Sequence, residues 1–448
     1  MSDQRIKILR DILLELHQGA SPESVQERFN QHFTGVSALE ISLMEHELMT
    51  SDAGITFEDI MSLCNVHANL FKGAITAVEV ADADQEGHPV YVFKQENLAL
   101  RAALLRVRRI LTSYAETEDT DLQTDLLKGL RHQLNLLGQF ERHYDRKENL
   151  FFPIMERYGH DAPPQVMWGV DDQIRELFAQ VMTTSQSLPD GDVTTVLTTF
   201  EAFAKEFEEM IFKEEAILIM ILLETFTQDD WLTIAVESET YGYAIIKPTA
   251  KWVPYREVFG EMASADQPQP AVQLTQAEGQ ETVIDTPQGQ FTITFTPKTN
   301  TTSSAIDRNQ QQPFGKGYLS VEEANLILNH LPLELTFVNK DDIFQYFNDS
   351  GPADDMVFKR TKSQIGRHVD LCHPPKILER VRAIFDLLRS GRKDQVDMWF
   401  KSDKMGKFIY VVYKAVHDDN GAFQGVLEYV QDIQPFFELE SEMKRDLD

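Results

Sequence analysis

Cysteine is scarce in this chain: there are two in 448 residues, Cys64 and Cys372, far apart in the sequence. No export signal is expected either, because the N-terminus opens with the amphipathic MSDQRIKILRDILLEL instead of a basic segment followed by an apolar run. Two distant cysteines in such a chain read as thiols, not a disulfide, and the expected compartment is the cytoplasm. Long apolar runs are also lacking. The most apolar stretch, IFKEEAILIMILLETF, is interrupted by charges, so no membrane span is expected. Positive charge is in deficit, with 42 Lys and Arg against 72 Asp and Glu and a formal net charge of −30. No Lys/Arg-rich stripe offsets that field, which repels phosphate backbones and anionic lipid heads. Nucleic acid and membrane are therefore not expected as partners. No Ser/His/Asp arrangement, phosphate-cradling glycine loop or zinc-type cysteine cluster is visible, and the chain reads as a non-enzyme more readily than as an enzyme.

What is present is a folded, multidomain chain. A hydrophobic fraction of 42% and a charged fraction of 25% are ordinary for folded proteins. A chain this long exceeds one core, so two or three domains are expected. Residues 5–80 read as a small helical module: Ser21 with Pro22 marks a helix start, Ser37 with Glu40 a capping box, and Val25/Phe29 and Leu39/Leu43 repeat at helical spacing. Residues 86–255 carry four much longer helical patterns joined by short turns, which predicts an antiparallel four-helix bundle. Pro153 falls inside the second pattern and should kink or end that helix. Residues 260–315 turn to Gln, Pro, Thr, Ser and Ala and read as a flexible linker, apart from VIDTPQGQFTITF, which could form a small hairpin. Over 318–440 two strands, then helices, then three β-rich runs describe a five-stranded antiparallel sheet with helices on one face.

Particular phrases carry resemblances. LPLELTFVNKDD, IGRHVDLCHPP and GVLEYVQDI resemble a PAS domain. ITFEDIMSLCNVHANLFKGAI with GHPVYVFKQEN is similar to the domain-of-unknown-function family 438, whose members commonly precede a hemerythrin-like bundle and a PAS domain. HYDRKENLFFP, MWGVDDQIRELF and EEMIFKEEAILIMILLE look like that bundle. The resemblances imply a multidomain fold: an all-α N-terminal module and an antiparallel four-helix, hemerythrin-like bundle, then an α+β PAS domain with a five-stranded antiparallel sheet.

A hemerythrin-like bundle implies two irons held by inward histidines and carboxylates, one His four residues before an acid on a shared helical face. This chain departs from that pattern. With Glu148 on the family's carboxylate, the His slot holds Tyr144 and His143 lies one residue out of register. With Glu215 on the second carboxylate, the preceding slot is Ile211; Asp172 stands at a third-helix position that often carries His, and Tyr91 follows His88 where a second His is common. The remaining candidates for iron are His88, Glu96, His143, Glu148, Asp172, Glu214 and Glu215, with Tyr91 and Tyr144 as phenol partners. The competing reading, which the missing imidazoles favour, is that these acids form ion pairs with Arg142, Arg146, Lys147 and Lys213. Cys64 with His67 is too small a set for zinc, and His132 reads as a helical surface histidine. In the PAS region Cys372 and His373 are the candidates for binding haem or another small ligand, against the plainer reading of a rigid Cys-His-Pro-Pro loop. Phe337, Phe344, Tyr346, Phe347, Trp399 and Phe408 either line a ligand pocket or form ordinary core.

These features support three functions. The first is a cytoplasmic sensory or regulatory protein with a degenerate bundle and a ligand-binding or dimerising PAS domain, acting through an unidentified protein partner and as a homodimer if the PAS domain pairs. The second is a di-iron protein handling oxygen, peroxide or nitric oxide. The third is a metal-free helical scaffold.

Overall fold

Two short amphipathic helices open the computed structural model, which describes residues 3–17, 19–33, 82–254, 281–286, 289–294, 307–402 and 405–439 together with residues 37, 40 and 80. Cys64, His67 and most of the family-438-type segment lie outside the described residues, as does most of the expected linker. In α1 (Asp3–His17) and α2 (Pro22–Phe33) the residues Leu9, Ile12, Leu16, Val25, Phe29 and Phe33 are buried. Ser37 and Glu40 exchange the two hydrogen bonds of a capping box, each at 3.1 Å.

The bundle begins at α3 (Pro89–Glu116). Gly87, just ahead of it, has φ +85°, and a Cβ there would sit 2.4 Å from the carbonyl oxygen of Ala250, so only glycine lets the two backbones approach. The second rod is assembled from α4 (Thr120–Leu137), α5 (Phe140–Arg146), a π-helical turn (Lys147–Phe151) and α6 (Phe152–Arg157). The third is α7 (Ala162–Gln186), and the fourth joins α8 (Val193–Lys213) through a second π-turn (Glu214–Leu218) to α9 (Ile219–Thr225). Asp119 and Asp192 cap α4 and α8 with side-chain oxygens that accept backbone N–H bonds. Phe140, Phe178, Phe203 and Phe207 form an aromatic core with ring centroids 5.2–6.1 Å apart. Burial of each contributes roughly 1.5–3 kcal/mol before entropy is counted. α10 (Gln228–Tyr241) starts at a Thr227/Asp230 capping box, and the irregular chain after it buries Ala244 and Trp252 against the bundle.

Tyr255–Leu331 forms a unit of its own. Within it β1 (Glu281–Thr286) and β2 (Gly289–Thr294) make the hairpin expected from the alternating VIDTPQGQFTITF, and β3 (Gln312–Phe314), β4 (Gly317–Leu319) and α11 (Val321–Asn329) come after it.

The C-terminal sheet contains β5 (Glu334–Asn339), β6 (Phe344–Phe347), β7 (Gln395–Ser402), β8 (Lys407–His417) and β9 (Phe423–Asp432), in the spatial order β6-β5-β9-β8-β7, every pair antiparallel. This is the expected five-stranded sheet. Where β9 crosses β5, a Cβ on Gly425 would lie 2.2 Å from the Val338 carbonyl oxygen, which explains glycine there. Between β6 and β7 runs α12 (Leu378–Arg389), whose Phe385 and Leu388 pack with Val338, Val369, Ala415 and Val426.

Candidate functional site: a buried charge cluster and a PAS cavity

The centre of the bundle is charged. His143 on α5 lies between two carboxylates, its Nδ1 2.9 Å from Glu96 Oε2 on α3 and its Nε2 3.2 Å from Glu214 Oε2 on the second π-turn. Arg146 also donates to Glu96, whose other oxygen accepts the Ala244 N–H at 2.6 Å. The Lys147 ammonium donates to Asp171 at 2.8 Å and to Glu214 at 2.5 Å, and lies 4.0 Å above the Tyr144 ring. Arg175 grips Glu148 through two bonds of 2.8 and 3.0 Å and reaches Asp172 at 3.2 Å and Glu141 at 2.9 Å. Glu96, His143, Lys147, Asp171 and Glu214 are each exposed by 1% or less, so these charges have one another in place of water.

Both π-turns supply cluster residues: Lys147 and Glu148 from the first, Glu214 from the second. Pro153 has no N–H to give to the carbonyl four residues back, and the helix just before it is widened into the first π-turn instead of being broken.

Electrostatics tracks the packing. Burial alone would raise the Glu214 carboxyl, but Lys147 and His143 outweigh it and hold it at about 2. Burial likewise opposes the charge on His143, yet the Glu214 and Glu96 carboxylates keep its pKa above the ordinary value. Lys147 is raised by Asp171 and Glu214 against burial. Burial pushes Glu148 up to about 8 in spite of Arg175, and Asp171 up to about 6 in spite of Lys147.

Of the residues singled out as metal candidates, Glu96, His143 and Glu214 come together directly, and Glu148 and Asp172 join through Arg175. His88 sits elsewhere: it caps α3 by accepting the Val90 N–H at 3.1 Å, and its ring lies against Trp231 and Trp252. Glu215 faces outward to Arg101 at 3.1 Å, Tyr91 is half-buried, and Tyr144 is fully buried with no hydrogen bond to its hydroxyl among the described residues. Among the cations, Arg146 and Lys147 pair with the acids, Arg142 is exposed, and Lys213 is buried with no hydrogen bond from its ammonium among the described residues. Sequence reasoning missed Asp171 and Arg175. The approach of Arg175 to Glu148 joins two helices, which helical spacing does not reveal.

The hemerythrin resemblance implies iron, which requires carboxylate and imidazole lone pairs that converge on one point. Here the Lys147 ammonium stands between Asp171 and Glu214, and both His143 nitrogens are engaged by carboxylates. Among the described residues no group of three or more His, Cys, Asp or Glu is placed to hold a metal ion. These residues, so arranged, do not fit a di-iron centre.

The PAS domain carries a partly open cavity of about 90 Å³. Thr336, Arg360, Tyr413 and Glu428 give it polar walls, Val338, Phe344, Phe385 and Val426 apolar ones, and Cys372 and His373 close the loop side. The Cys372 thiol points to the His368 carbonyl at 3.6 Å, and His373 Nδ1 contacts the Val369 carbonyl at 2.9 Å, with burial lowering the imidazole's pKa. Of the aromatic residues weighed for a pocket, Phe344 lines it, whereas Trp399 is 67% exposed on β7. A haem macrocycle does not fit a cavity of about 90 Å³, well below the roughly 300–1,000 Å³ of drug-sized sites.

Family models match in the order the architecture suggests: the Family of unknown function (DUF438) over residues 9–77, the Hemerythrin HHE cation binding domain over 88–222 and the PAS domain over 324–434. Successive segments of the chain thus match DUF438, hemerythrin and PAS families. The combination makes it a sensory or regulatory protein of signal transduction, with a bundle of metal-binding family and a PAS domain of a kind that binds ligands. A solved C-terminal domain from Streptococcus mutans is 72% identical, covering 30% of this chain and 100% of that one, with a TM-score of 0.29. A PAS domain from Colwellia psychrerythraea is 13% identical (26% and 98% covered, TM-score 0.20), and a sensory box sensor histidine kinase from Vibrio cholerae is 14% identical (24% and 88% covered, TM-score 0.19). No curated protein matches. No described helix is long and apolar enough to cross a membrane.

Proposed function

We propose that this chain senses a small polar ligand in its PAS cavity, and that its bundle is a degenerate hemerythrin fold whose centre is neutralised by Lys147, Arg146, Arg175 and His143 instead of iron. The observation that carries this reading is the Lys147 ammonium between Asp171 and Glu214, because a cation already occupies the position between the acids. It disfavours oxygen, peroxide or nitric oxide chemistry at that centre and leaves the PAS cavity as the receptor. An unidentified protein partner would carry the output.

The test is mass spectrometry of molecules released on denaturing the intact protein purified without air. A small polar compound at near one per chain, lost in Glu428→Gln, supports the reading. Wild type and Glu428→Gln that release nothing in common culture conditions, and whose melting temperatures respond to no compound in a metabolite screen, would contradict it. A second reading, dimerisation through the PAS domain, is favoured by the exposed Trp399 on β7 and Phe436 and Phe437 after β9. Sedimentation of wild type against Trp399→Ser decides whether that face pairs.

A further inference from the structure

The PAS cavity is not made by the PAS domain alone. Two of its lining residues, Asn149 and Trp168, belong to the bundle. Asn149 lies on the first π-turn, between Glu148, which is held by Arg175, and the buried Leu150, and its side-chain oxygen accepts from Gln364 of the PAS domain at 2.8 Å. Trp168 on α7 is 9% exposed, and the Arg367 guanidinium lies 5.4 Å over its ring. Arg367 in turn makes two bonds of 2.5 and 2.6 Å to Glu156 on α6, both partners almost wholly buried. One five-residue turn therefore presents Lys147 and Glu148 to the charge cluster and Asn149 to the cavity.

The cavity also restricts its occupant. An engineered apolar cavity of about 150 Å³ takes benzene, so a space of about 90 Å³ suits something smaller. Its two charged residues, Arg360 and Glu428, face each other at 3.6 Å, too far for a strong hydrogen bond yet close enough to balance. A ligand with net charge would upset that balance and leave one charge uncompensated beside largely buried walls, which is costly. A net-neutral molecule with both a donor and an acceptor satisfies both groups.

We infer that the PAS cavity is a composite site, completed by Asn149 and Trp168 of the bundle, for a net-neutral polar molecule smaller than benzene, and that the π-turn passes its occupancy to the bundle. This rests on the sensory reading above.

The chain has four tryptophans, which suits 19F NMR of the full-length protein carrying 5-fluorotryptophan, each resonance assigned by a Trp→Phe variant. Trp168 reports the cavity. Trp231, whose ring lies 6.3 Å from Phe151 of the same π-turn, reports the bundle, and the exposed Trp399 is the control. Acetamide should shift Trp168 and Trp231 along one saturating curve and leave Trp399 still, while its charged counterpart acetate moves none of them. Asn149→Ala should weaken acetamide at least threefold and remove the Trp231 response. An equal response to acetate overturns the ligand class. Acetamide that binds by saturation transfer, sensitive to Glu428→Gln, while Trp168 and Trp231 stay still overturns the composite site but leaves the sensory reading standing. No acetamide binding by either readout overturns the ligand class, and the sensory reading then stands or falls on the co-purified molecule.

Discussion

Lys147 shows what a single side chain does in this bundle. Fully buried, it neutralises two carboxylates that would otherwise face each other in a medium with little water. Lys147→Met keeps most of the volume and removes the charge, which leaves Asp171 and Glu214 uncompensated. Breaking a buried pair from one side costs about 3–5 kcal/mol, and urea unfolding should show a loss of that size. The double variant Lys147→Met/Glu214→Leu should recover part of it, because burying two apolar groups costs less than burying one orphaned charge. His88 supplies a pH test. Burial holds its imidazole down at about 4, so the folded chain resists a proton that the unfolded chain accepts near the ordinary 6.5. Stability contributed by the neutral ring is complete above that ordinary value and declines as the pH falls toward 4, by at most about 3 kcal/mol. His88→Asn, which retains an acceptor for the Val90 N–H, should flatten the difference in stability between pH 6.5 and 4 relative to wild type; an unchanged slope would contradict the assignment.

At the scale of elements the two π-turns explain which parts of the site could be read from the sequence. Glu96, His143, Glu148 and Glu214 were legible as chemistry-bearing residues on helices of the right order. Their register was not, because a π-turn bonds i to i+5 and rotates the rest of the helix by about a residue relative to the i, i+4 rule. His143 reaches the cluster where spacing from Glu148 favours Tyr144, Glu214 enters where Glu215 was aligned, and Asp171 is the deeper of the adjacent acids. The five antiparallel strands were legible because alternation is a local signal, whereas their order was not, since β5 pairs with β9 across most of the domain. Asn149 and Trp168 as cavity residues were not, since their partners are roughly 200 residues away in sequence. The Arg367–Glu156 pair is the element-scale link between the PAS loop and α6. Glu156→Gln, which strands a buried guanidinium, should lower stability by about 3 kcal/mol or more and separate one thermal unfolding transition into two in calorimetry; one transition at the wild-type temperature would contradict the link.

Over the whole molecule, a bundle of metal-binding family and a PAS domain share the first π-turn, one using its buried charges and the other its half-buried amide. Central to that arrangement is that the bundle's acids are already neutralised from within. It is tested most directly by adding ferrous iron under nitrogen to protein purified without chelator, removing the excess and measuring iron per chain by elemental analysis. Weak, substoichiometric iron, unchanged in Glu148→Ala, is the expected result. Two tightly held irons per chain, lost in that variant and giving an oxo-bridge absorption on exposure to air, would contradict it.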